Sequence, residues 1–290
     1  METNSNIPAV IIETINTIFQ SLFSSLDNNL YSILDDITFI NSDIIKDSIF
    51  SKILGSSPSN GILLIANSLL LGFILYYSLR YLFSKLIYNQ VESPFQFIFK
   101  CLIFGICCNF SYFFLEQILD ITSYISLAIR SIGEDLFGKN ICFSELILSL
   151  NNLISFNTSS IDIFSLNGLI KTTLTASLLN LVFTYSLRYI TLKIFILLTP
   201  FAFLSLILNS TSWFFRAWIK NIFSILFIQI IVSIVLLILF SINSSSNELI
   251  TKFIYIGAIN ALIKSNTFVQ EFIGGVSTTF TQNVENFFKK

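Results

Sequence analysis

The chain has 290 residues, of which 54% are hydrophobic and only 11% charged, with 16 Lys and Arg against 17 Asp and Glu. A mean hydropathy of +0.79 is far from the balance of a soluble domain. A net charge of −1 excludes a broad basic nucleic-acid surface, and the absence of His excludes histidine dyads and triads. Four cysteines, at Cys101, Cys107, Cys108 and Cys142, give no readable disulfide framework or zinc pattern. The composition calls for an all-α polytopic membrane protein, with no cofactor and no catalytic role expected.

The first element in chain order is an amphipathic segment over Pro8 to Ile37. Ile11, Ile15, Ile18, Leu22, Leu26 and Leu30 recur at helical steps, opposite Glu13, Asn16 and Gln20. Such a stripe lies on a membrane surface, on a partner, or on the chain's own membrane domain. No Lys or Arg precedes it, so it does not read as a cleavable signal. Residues 1–52 are assigned to this extracytoplasmic part.

Five apolar runs follow. The first, within Ile53 to Leu79, begins its helix after the Ser57-Pro58-Ser59-Asn60-Gly61 breaker, and the second covers Phe95 to Leu119. These two make up a region 53–119. A helical extracytoplasmic loop over 120–171 comes next, with expected breaks at Gly133, Gly138, Asn151-Asn152 and Asn157 to Ser160. Three more runs, Thr172 to Leu187, Ile194 to Phe215 and Asn221 to Phe240, make up 172–247. The last lies in a stretch of 27 residues, Asn221 to Asn247, without a charge; about 20 helical residues cross a hydrocarbon core of roughly 30 Å. An apolar piece at Phe253 to Ile263, short and interrupted by Lys252 and Lys264, counts as no more than a candidate sixth span, and 248–290 reads as an amphipathic tail. The distribution of Lys and Arg puts the N-terminal side outside the cytoplasm and the C-terminal side inside, in the plasma membrane.

Polar side chains are costly in lipid and face neighbouring helices or a wet cavity. The candidates are Asn67, Asn109, Asn180 and Gln229, which could pair between helices or line a pore, and Glu116, whose place near a span end suggests snorkelling to the interface. Pro200 removes a ladder donor, so a kink or break is expected near Leu198 to Phe201. Trp213, Arg216, Trp218 and Lys220 combine the aromatic and basic residues of a membrane interface.

The order Pro200-Phe201-Ala202-Phe203-Leu204-Ser205, then Ser212-Trp213-Phe214-Phe215-Arg216-Ala217-Trp218-Ile219-Lys220, then a long apolar span holding Gln229 resembles the TrbL family. These are polytopic inner-membrane subunits of conjugative type IV secretion systems, and the likeness is greatest to the versions in mobile elements of low-GC Gram-positive bacteria. The resemblance implies a non-enzymatic, homo-oligomeric channel or scaffold subunit working with a VirB4-type ATPase and other membrane components. It also implies that Trp213 to Lys220 supports assembly, and that the 120–171 loop borders single-stranded DNA in transit, with Arg130, Lys139 and Lys171 as the cations available to phosphates. The reading from another class is a small-solute transporter or permease with a pathway between Asn67, Asn109, Asn180 and Gln229.

Overall fold

The computed structural model describes residues 33–55, 60–87, 92–146, 166–242 and 248–273, with a few isolated positions at 13–15, 17–18 and 148. Most of the Pro8 to Ile37 stripe, the Asn151-Asn152 and Asn157 to Ser160 breaks and the chain beyond 273 lie outside the described residues. Within them all regular structure is helical, without a strand. After a short helical stretch at 33–38 come α1 (Asp43–Lys46), α2 (Ser48–Leu54), α3 (Gly61–Ile87), α4 (Pro94–Asn109), α5 (Ser111–Phe137), α6 (Leu166–Leu204), α7 (Ser212–Ile242) and α8 (Glu248–Ile273).

Local chemistry sets these bounds. Gly55, just after α2, and Gly61, the first residue of α3, take φ of 92° and 64°, where an L side chain is strained. Ser93 caps α4, its hydroxyl accepting from Gln96 N with Pro94 next in line. Gly138, at φ 64°, closes α5 in the left-handed conformation. Between α4 and α5 the chain turns at Phe110, bending the pair by 54°.

Three helices are long and apolar enough to cross a membrane, over Gly61–Leu86, Gly168–Leu204 and Ser212–Ile242, and the bent pair α4–α5 makes a fourth if it crosses once. Among the described residues the five apolar runs therefore do not each make a separate spanning helix. The expected third and fourth runs are one helix, α6, because Arg188 and Lys193 interrupt the apolar sequence without breaking the backbone ladder. Its 39 residues extend about 58 Å, well beyond a hydrocarbon core. The boundary drawn at 119 falls inside α5, and the expected 120–171 loop is helical at both ends.

Gly133 likewise does not break α5. A Cβ built there would lie 2.5 Å from Ile141 Cγ1 and 2.7 Å from Leu237 Cδ1; it is a close-packing position rather than a turn. Pro200 stays inside α6, which continues to Leu204 and gives way to a seven-residue turn, 205–211.

α5, α6 and α7 form the central bundle. The neighbours of α7 along its length show α5 running parallel to it, with Ser126 beside Ser233 and Phe137 beside Phe240. α6 runs antiparallel to α7: Phe195 lies beside Trp218, and Leu178 shares a core with Leu236. α8 packs on α6 and α7 through Tyr255, Ile259 and Leu262. α3 and α4 form a hairpin against the end of α6 and the turn after it, centred on the Tyr77–Phe97 ring stack at 3.8 Å. The outer face of this hairpin, with Leu71, Leu75, Leu79, Phe95 and Leu102 exposed, suits lipid rather than water.

Residues 33–54 turn one face into this bundle and leave the other exposed. Leu34 is in the core formed by α6, α7 and α8, while Ile40, Ile44, Ile45, Phe50 and Leu54 pack among α5, α6 and α7. Of the placements open to the N-terminal stripe, its end at 33–37 takes the one on the chain's own membrane domain.

Candidate functional site

The chain leaves its helical conformation at Phe39 and resumes it at Asp43, in the middle of the α5–α7 bundle. A broken helix leaves carbonyls and N–H groups without intrahelical partners, and away from water these must be met by side chains. Two residues meet them. Gln229, 1% exposed on α7, accepts the Ile40 N–H at 3.2 Å through Oε1. Arg188, fully buried on α6, donates from a terminal guanidinium nitrogen to Thr38 O at 3.2 Å and from Nε to Ile225 O at 3.0 Å. One guanidinium thus joins the broken segment, α6 and α7.

No carboxylate lies within ion-pair distance of Arg188 among the described residues. Its charge is met by carbonyl dipoles, Thr38 O being at the C-terminal end of the 33–38 helix where a cation is favoured, and by the Tyr185 ring, whose centroid is 5.8 Å from Cζ. The other terminal nitrogen of Arg188, Thr38 Oγ1 and the Tyr185 hydroxyl are buried without a hydrogen-bond partner.

Each end of the broken segment is anchored. At one end the Asp35 carboxylate accepts from Phe143 N at 2.8 Å, Ser144 N at 3.1 Å and Ser144 Oγ at 2.6 Å, capping the short helix at 143–146. Arg130 reaches the same place, donating to Ile141 O at 2.7 Å with Cζ 4.2 Å from the centre of the Phe39 ring. At the other end Lys46 pairs with Glu116 at 2.8 Å and Asp47 faces Lys193 at 3.5 Å.

The sequence candidates divide accordingly. Asn67 and Asn109 form a reciprocal amide pair between α3 and α4 at 3.1 and 3.2 Å, and Asn109 also donates to Gly105 O. Asn180 is half-buried on α6, and its carbonyl accepts from Thr184 Oγ1. Glu116 is held in the ion pair with Lys46. Trp218 is not an interface anchor: it is 3% exposed, packed in tilted contact with the Phe203 and Phe215 rings, with Nε1 donating to Phe195 O at 3.0 Å. The Phe195 carbonyl also accepts from Thr199 Oγ1, so both donors grip α6 one turn before Pro200. Trp213, Arg216 and Lys220 are exposed.

Sequence reasoning took Arg188 for a span boundary and overlooked Asp35 and the Ser126–Ser233 contact at 2.6 Å. A signal for Arg188 was present, since no Gly, Pro or Asn separates Leu187 from Ile194 and an ionisable residue inside an unbroken apolar helix has to find a buried partner. No family model matches the chain, and no curated protein matches it at a significant level; a reading of function rests on the residues themselves.

Proposed function

We infer that the protein is a membrane scaffold or channel subunit of a conjugative type IV secretion system, of the TrbL kind, which helps a single-stranded DNA–relaxase complex cross the cell membrane with a VirB4-type ATPase and further copies of itself. The observation that carries this reading is the ordered pattern of the Pro200 to Ser205 stretch, the Trp213 to Lys220 segment and the Gln229 span. The clasp of Trp218 on Phe195 supports it, because it makes the pattern one structural unit and leaves Trp213, Arg216 and Lys220 exposed for assembly.

Internal hydrogen bonding favours a scaffold over a solute permease. Asn67 and Asn109 are taken by each other and the Gln229 Oε1 by Ile40 N, so three of the four amides of the expected solute pathway already make hydrogen bonds within the chain. Arg130 and Lys139 are also engaged within the chain, which leaves positioning of other subunits as the role that asks least of them. Affinity purification of the tagged chain in mild detergent from a transfer-competent donor tests the reading. Co-purification of the ATPase and the coupling protein is the expected result; recovery with a nucleotide-binding permease subunit instead would overturn it.

A further inference from the structure

The segment from Asp35 to Asp47 connects two charged zones at opposite ends of the central bundle. One holds Asp35, Arg130 and the 141–144 stretch, the other Lys46–Glu116 and Asp47–Lys193. On α5 the two are marked by Arg130 and Glu116, 14 residues apart, which is about 21 Å of helix. On α7 the neighbours of the segment advance in the same way, from Leu236 near Leu34, through Gln229 at Ile40, to Ile222 and Trp218 beside the residues from Ile44 to Leu54. These α7 positions belong to the helix whose apolarity most clearly places it in a bilayer.

We propose that residues 35–47 are a discontinuous membrane-crossing strap threaded through the α5–α7 bundle, latched at mid-depth by Arg188 and Gln229. It is invisible to hydropathy because the uncharged stretch between Asp36 and Asp43 is only six residues, Ile37 to Ser42. A 21 Å path is shorter than a 30 Å core, and two things close the difference. Non-helical residues rise up to about 3.3 Å each rather than 1.5 Å, so with four of them at 39–42 the strap covers those 21 Å, and the long Lys and Arg side chains at each end reach outward to the headgroups over the remainder. Non-helical backbone at this depth must have its polar groups satisfied; Arg188 and Gln229 do this for Thr38 O and the Ile40 N–H, while Asn41 is exposed and is held by Asp43, its amide donating to the Asp43 carboxylate and its Oδ1 accepting from Asp43 N.

The consequence is topological: the chain just before the strap and the chain just after it face opposite sides of the membrane, in contrast to a placement of all of 1–52 on one side. Single cysteines in a chain with Cys101, Cys107, Cys108 and Cys142 replaced by Ala test this, using a membrane-impermeant maleimide on intact and permeabilised cells. Asp36→Cys and Ser48→Cys are both at exposed positions, and Ile33→Cys with Ile49→Cys gives an independent pair, 49% and 71% exposed. Within each pair one site is expected to label in intact cells and the other to gain at least tenfold on permeabilisation. Equal labelling of both members from the same side, in either pair, overturns the proposal.

Discussion

Replacing Arg188 by Met and by Lys separates the geometry of its guanidinium from its charge. Arg188→Met keeps the bulk and removes both carbonyl bonds. Ile225 O retains its place in the α7 ladder, but Thr38 O loses the side-chain donor that meets it inside the bundle. Leaving such a group unsatisfied costs about 1–3 kcal/mol, partly offset because a buried charge lacking a carboxylate partner no longer has to be desolvated. A net loss of about 1–2 kcal/mol is expected. Arg188→Lys keeps the charge, yet one ammonium cannot reproduce the fork that reaches Ile225 O and Thr38 O together. It forfeits a charge-assisted bond of about 1.5–3 kcal/mol without that offset, so Lys should be worse than Met despite being the conservative change. Reversible unfolding in mixed micelles, titrated with a denaturing detergent, measures both. Wild-type stability for Lys alongside a strongly destabilised Met variant would refute the reasoning, because charge alone would then hold the segment.

Three further outcomes follow from the same packing. Gln229→Leu leaves the Ile40 N–H buried without its acceptor and should cost about 1–2 kcal/mol in the same titration; no change would mean that the bond contributes nothing. A double-mutant cycle of Asn67→Ala and Asn109→Ala should give a coupling of about 0.6–2 kcal/mol, the range for amide bonds between membrane helices, and simple additivity would remove the pair from the account. Gly133→Ala places a methyl group on Ile141 and Leu237 and should destabilise by about 1–3 kcal/mol through overpacking, whereas a neutral effect in the titration would show that these side chains yield freely.

How far the sequence discloses this arrangement depends on the element. α3 and α7 are legible because charge-free apolar runs and a Ser-Pro-Gly breaker act over neighbouring residues, where helix formation is decided. α6 is not, since reading Arg188 and Lys193 as boundaries treats charge as a helix breaker; charge affects where a helix is buried, and Ile225, Thr38 and Asp47, which receive these two side chains, are distant in sequence. Asn67 and Asn109 are legible as an interhelical pair because they are polar in apolar runs. The strap is the hardest feature to read. Its residues are ordinary for a surface turn, and only the partners from α5, α6 and α7 make Thr38 to Ile40 a buried crossing. Trp218 illustrates the same limit, as the aromatic and basic pattern at 213–220 mixes exposed and enclosed positions.

The most direct measurement is the frequency of DNA transfer from donors carrying an in-frame deletion of the gene, complemented by the wild-type chain or by Trp213→Ala/Trp218→Ala. The account predicts loss of transfer with normal donor growth, recovery with the wild-type chain, and poor recovery with the double variant. Unchanged transfer in the deletion strain would contradict the assignment to a conjugation channel and move the solute permease to the front.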